Sequence, residues 1–257
     1  MRRFTSLLLA TACVAGLGAA GPALADVTVQ SVTGNDATCS DGGTPCATLA
    51  RAVAVANATP GRTIVRLGVG IFPVSTSIIT GDDEWIVGAG GVQTLIRMLG
   101  VNSTLSLRGS SALFSVAMTG DRTDDPDAAQ TWLTVRDTAS ARNVLVSRTG
   151  QGTLALATDQ ATLRNVMLRG DSAALASALV AFDQVSLFES TVSGQEVYVA
   201  APGAGAGAVR AQAIWVDRSM LSAGIRVNSG DARVTNSIVM SQGHGAFVSP
   251  ALTLNSA

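Results

Sequence analysis

Ala139-Ser140-Ala141-Arg142-Asn143-Val144-Leu145-Val146 and, one repeat further on, Ala161-Thr162-Leu163-Arg164-Asn165-Val166-Met167-Leu168 are two copies of one pattern. With the asparagine as position zero, apolar residues stand at −4, −2 and +3. Three further copies centred on Glu189, Arg218 and Asn236 put Val185, Leu187 and Val192, then Ile214, Val216 and Leu221, then Ala232, Val234 and Val239 in the same places. The spacings are 22, 24, 29 and 18 residues, about 23 on average. Positions −4 and −2 point to one side of a strand, and the step of five to +3 changes parity, so the chain must bend at or near zero. A strand, a polar corner and a second strand recur in each copy. Leu163, Leu187, Val216 and Val234 are accordingly expected in one internal stack.

Working back toward the start, short β-type runs continue: Thr63-Ile64-Val65-Arg66-Leu67, Ile71-Phe72, Ile78-Ile79, Trp85-Ile86-Val87 and Thr94-Leu95-Ile96, separated by glycines. Strands this short and this evenly interrupted suit a solenoid better than a sandwich. One persuasive helix precedes them, from Cys46 to about Ala58. Thr44 is its expected N-cap, Pro45 its first position, and Leu49, Val53 and Ala56 its buried face. Cys39 and Cys46 flank the approach to it. In an exported chain they form a disulfide by default, two separate buried thiols being the alternative.

Residues 1–25 read as a signal peptide: Arg2 and Arg3, an apolar Leu7 to Leu17, and a small-x-small site at Ala23-Leu24-Ala25. Cleavage there would leave a mature chain starting at Asp26. A rival reading makes Cys13 a lipidated cysteine. The domains are then a signal peptide (1–25), an N-terminal cap with a short helix (26–62) and a solenoid (63–257). No other long apolar run follows, so no transmembrane span is expected in the mature chain.

With Gly34-Asn35-Asp36, Cys39, Pro45-Cys46-Ala47-Thr48-Leu49 and Gly61-Arg62-Thr63-Ile64 at its start and the repeat behind them, the chain resembles secreted right-handed parallel β-helix proteins of the pectate-lyase-like superfold. The resemblance implies an all-β solenoid of about eight coils under a disulfide-bearing helical cap. It carries architecture and little chemistry.

Composition narrows the chemistry. All 17 basic residues are arginine, which excludes Schiff-base lysines and lysine-bearing phosphate loops. His244 is the single histidine, so a multi-histidine metal site is excluded. The net charge of −1 gives no reason to expect nucleic acid. Gly243-His244-Gly245 resembles an element of the polygalacturonases, which makes His244 a candidate catalytic residue; the rest of their pattern is incomplete here, so a polar turn residue is the favoured reading and His244→Ala is expected to leave any glycan activity unchanged. In the run Asp82-Asp83-Glu84, Asp82 and Asp83 are candidate carboxylates for glycoside chemistry. Asp121, Asp124, Asp125 and Asp127 crowd oxygen ligands that suit Ca²⁺, although a solvated loop explains them as well. No other cofactor is expected.

Arg142 and Arg164 share one position in successive copies, so stacking puts them about one strand spacing apart on the outer surface, able to grip carboxylates or to act as a lyase base. Asn143 and Asn165 are expected to form an internal amide ladder at the corner. Trp85, Trp132 and Trp215 are the available stacking platforms for sugars. Pro202-Gly203-Ala204-Gly205-Ala206-Gly207 reads as an excursion from the rod. These features lead to an exported protein of the cell surface, periplasm or envelope that binds glycans or serves a structural or adhesive role. The alternative is a lyase, hydrolase or epimerase acting on an acidic polysaccharide. At the C-terminus, Ala246-Phe247-Val248 and Ala251-Leu252-Thr253-Leu254 still read as strand, which leads to the expectation that this end self-associates, is covered by a partner, or belongs to a longer protein.

Overall fold

An inward row of a stacked sheet is filled once per coil, and the rows expected from the repeat are filled in that way. In the computed structural model, which describes residues 24–99, 102–121, 131–149, 153–170, 177–181, 184–193, 196–199, 213–221, 224–227, 231–239 and 252–255, Ala141, Leu163, Leu187, Val216 and Val234 are paired in register and buried. Ala139, Ala161 and Val185 fill the row two residues earlier, and Val146, Leu168, Val192 and Leu221 the row after the corner.

The chain is a parallel β-solenoid, with one short helix among the described residues. One sheet runs through Ala25–Val29, Thr63–Leu67, Glu84–Gly88, Ala112–Asp121, Ser140–Thr149, Thr162–Gly170, Gln184–Phe188, Ala213–Asp217, Asp231–Thr235 and Leu252–Asn255. Beyond the corner its continuation is built from Gly70–Val74, Thr94–Met98, the second halves of the three long strands, Thr191–Ser193, Met220–Leu221 and Ile238–Val239. A second sheet stacks Ser77–Ile79, Thr104–Leu107, Thr131–Val135, Thr153–Ala157, Ser177–Ala181, Glu196–Val199 and Gly224–Val227. About four turns of the solenoid are shown, rather than the eight expected.

The bend at position zero has a specific backbone form. Asn143, Asn165, Glu189, Arg218 and Asn236 all adopt the left-handed conformation, with φ of 55°, 50°, 50°, 47° and 47°. Ser115, at 56°, occupies the same place one coil earlier. Asn tolerates this region better than other non-glycine residues, which is why it recurs there. The amide ladder exists, with Asn165 Nδ2 donating to Asn143 Oδ1 at 2.8 Å, but it lies outside the core on an exposed edge and not inside it. The left-handed residue turns its side chain out of the strand, away from the inward rows. Asn165→Val should therefore cost about 1–2 kcal/mol through backbone strain, while Asn165→Gly stays within about 0.5 kcal/mol. Chemical denaturation of both variants checks this, and equal losses would refute it.

One residue past the corner, serines stitch successive coils together. The N–H groups of Val166, Ser190 and Ser219 donate to the hydroxyls of Ser190, Ser219 and Ser237 at 3.1, 3.1 and 3.0 Å. Each of these hydroxyls donates onward to the carbonyl two residues before it, on Phe188, Asp217 and Thr235. A buried polar group is satisfied on both sides without water.

The cap departs from expectation in one respect. The helix spans Leu49–Ala58, starting three residues later than expected, and its N-cap is Thr48, whose Oγ1 accepts from the Arg51 N–H at 3.2 Å. Pro45 does not open a helix because Cys46 is held as strand: its N–H donates to Thr28 O at 2.8 Å and its carbonyl accepts from Gln30 N–H at 2.9 Å. Asp36 gathers the turn by accepting from the Ala47 and Thr48 N–H groups and the Thr48 hydroxyl at 2.7, 2.9 and 2.7 Å. The Cys39–Cys46 disulfide closes the cap, with Cα atoms 4.8 Å apart. A side chain at Gly34 would collide with the Cys46 carbonyl, so only glycine fits there. Leu49, Ala52, Val53 and Ala56 pack onto the first coil.

Candidate functional site: an outer sheet face between two aromatic clamps

On the outer face of the first sheet, strand alternation leaves two columns pointing away from the core. Register puts Trp85, Ala112, Ser140, Thr162, Ser186, Trp215 and Arg233 in one. The other contains Val87, Phe114, Arg142, Arg164, Phe188, Asp217 and Thr235. Arg142 and Arg164 are thus adjacent and exposed, as expected from the repeat.

The two ends of this face carry the same device. At one end the Arg62 guanidinium lies 4.7 Å over the Trp85 ring, and Trp85 meets Phe114 edge to face at 5.7 Å. At the other, Arg233 lies 5.2 Å over Trp215, and Trp215 meets Phe188 edge to face at 5.8 Å. Trp85 and Trp215 are five register steps apart, or roughly 24 Å at about 4.8 Å per step. Between the clamps the floor is small and hydroxylated.

Charge on the face is arranged in one network. Glu189 accepts from Arg164 Nε at 3.0 Å with one carboxylate oxygen and from an Arg218 terminal nitrogen at 3.1 Å with the other. Arg218 also reaches Asp217 at 3.3 Å. The Thr235 hydroxyl, the Asn236 amide and Arg218 hold the Asp217 carboxyl below its ordinary range despite some desolvation. Both acids are therefore engaged in internal contacts, whereas Arg142 forms no ion pair among the described residues.

Other candidates fall elsewhere. Trp132 is 2 % exposed and cannot serve as a stacking platform. Asp82 is exposed, and Asp83 accepts from Arg62 Nε at 2.9 Å, tying it to the first clamp. His244, Asp124, Asp125, Asp127, Cys13 and the glycine-alanine run 202–207 lie outside the described residues, as do residues 1–23 of the expected signal peptide and the side chain of Asp121. Ala25, the last residue of that peptide, pairs with Thr63 in the first strand. Among the described residues the one cluster of metal-ligating types is Asp36, Cys39 and Cys46, and its two sulfurs are bonded to each other. No described helix is long and apolar enough to cross a membrane.

Glu84 follows Asp82 and Asp83 in one acidic run, but alternation turns it inward. It is 3 % exposed, and neither carboxyl oxygen has a hydrogen-bond partner. Thr63, its register partner, has an equally unpartnered buried hydroxyl. Burial pushes the Glu84 carboxyl up to about 7, against a smaller opposing pull from the nearby Gly81 amide. The chain matches no protein-family model and no curated protein.

Proposed function

We propose that this is an exported right-handed β-helix protein of the pectate-lyase-like type that binds glycans on the outer face of its first sheet. The observation that carries the reading is the pair of Arg–Trp–Phe clusters at either end of a hydroxyl-floored outer strip. Aromatic rings stack on the apolar faces of sugars, and serine and threonine hydroxyls exchange hydrogen bonds with theirs. Trp215 remains 44 % exposed beside Arg233 and Phe188. The Cys39–Cys46 disulfide supports an oxidising compartment outside the cytoplasm.

A glycan array probed with residues 26–257 tests the reading, scored for binding and for release of unsaturated or reducing ends. Binding is expected, and the double variant Trp85→Ala, Trp215→Ala should weaken it at least tenfold at unchanged melting temperature. Retention of wild-type binding by that variant would move the site off this face.

A further inference from the structure

We infer that the outer face beyond the corner is the interface of a two-fold dimer, in which a second copy of the chain lies along it with its coils in reverse order. The inference is independent of the glycan reading, which uses the strip before the corner. Two residues past position zero the side chains point outward, and seven register pairings join them into one column from Ile71 to Ile238. Every member except Thr191 is apolar, and Ile71, Met167, Met220 and Ile238 are 52, 46, 42 and 60 % exposed. The next outward column is polar apart from Pro73, with Arg97, Thr119, Ser147, Arg169 and Ser193. An apolar stripe roughly 34 Å long, at about 4.8 Å per step and with a polar column beside it, is the mark of an interaction surface and not of scattered surface hydrophobes.

The order of residues along the stripe says what covers it. A long, flat sheet face packs best on another sheet face, and a two-fold dimer supplies one of the same length. Reversing the stripe onto itself brings Ile71 opposite Ile238, Leu95 opposite Met220, Ala117 opposite Thr191 and Leu145 opposite Met167. Each large side chain then meets a large one, and the two small residues meet each other. A parallel pair would match sizes whatever the order; only a reversed pair requires the order to read alike from both ends, and this one does. Reversal also places Arg169 opposite Ser147 and not opposite an arginine. With its flanking columns the face measures roughly 34 by 18 Å, so two copies would cover about 1,200 Å² in total, the lower end of what a specific dimer buries.

Sedimentation equilibrium of the purified protein between about 1 and 100 µM tests the surface, and a dimer that dominates above about 10 µM is expected from an interface of this size. Met167→Glu or Met220→Glu should weaken association about a hundredfold, because each copy would bury an unpaired carboxylate against an apolar side chain. Both positions are exposed in the single chain, and an unchanged melting temperature is the control for folding. The orientation is read by disulfide trapping with Ile71→Cys and Ile238→Cys, which add no charge and carry the test if a glutamate lowers the melting temperature. Mixing the two variants should yield a cross-linked peptide joining positions 71 and 238, while neither variant links to its own kind. A monomer at every concentration, or a dimer that both glutamate variants leave intact, would overturn the interface. Self-linking of Ile71→Cys as fast as the mixture links would overturn the reversed arrangement.

Discussion

Leu163→Ala is expected to destabilise the protein by about 3–4 kcal/mol, in the upper part of the range for buried leucines. Leu163 is fully buried, and its register neighbours are Ala141 on one side and Leu187 on the other. The truncated side chain would lie against an alanine that is already small, so the space has little to collapse into it. Parallel backbone pairing on both sides of the strand fixes the coil spacing and prevents the neighbouring coils from closing the void. Thr162→Ala, one residue away but on the outer face, should stay within about 0.5 kcal/mol. Leu163→Met, which conserves volume, should cost less than about 1.5 kcal/mol. Urea denaturation of the three variants checks the ordering. A loss below about 1 kcal/mol for Leu163→Ala would mean that the interior is not stacked in this register.

The second large effect is one of pH. A carboxyl whose folded pKa lies near 7 against an ordinary 4.5 remains protonated in the fold after the unfolded chain has released its proton. Its contribution is fully present below about pH 4.5, is lost as pH rises through the interval to about 7, and stays lost above it. For Glu84 the difference across that window should be about 3 kcal/mol. Glu84→Gln removes the titration while keeping the shape. The variant should therefore lose this part of the pH dependence and be more stable than the wild type at pH 8, by about 3 kcal/mol. Melting temperatures between pH 4 and pH 8.5 measure it. Parallel curves for the two proteins would show that Glu84 is ionised in the fold.

The rows at −4, −2 and +3 are legible in the sequence because a stack must repeat its inward positions, and a five-residue step between two strands has no other meaning than a corner. The bend at that corner follows from the same step. The side of the wall on which Asn143 and Asn165 sit does not, because alternation breaks at a residue that leaves strand geometry. The helix start is hidden for a different reason. A proline after threonine signals a first helical turn locally, while the bridge from Cys46 to Val29 joins segments separated by the whole disulfide loop.

The clamps escape a sequence reading because their partners are remote. Trp85 and Trp215 lie about half the chain apart and share a column only once the repeat frame is carried back from Asn143 through Ser115 to Gly88. Neither of those residues has the amide that marks the later corners. The same extension places Glu84 four residues before a corner and therefore inside. Its two acidic neighbours hide that parity.

The serine stitches also imply an order of assembly. The N–H of Val166 is satisfied by Ser190, that of Ser190 by Ser219, and that of Ser219 by Ser237, so each coil's polar requirement is met by the coil that follows it in sequence. Growth from the capped end would leave one donor open at the advancing front, and each new coil would close it with contacts only 18 to 29 residues away along the chain. For an all-β protein that is local wiring, and local wiring shortens the search. Such a chain can zip up in the direction in which it is synthesised, with the disulfide-locked cap as its starting template and one hydroxyl per step as the latch.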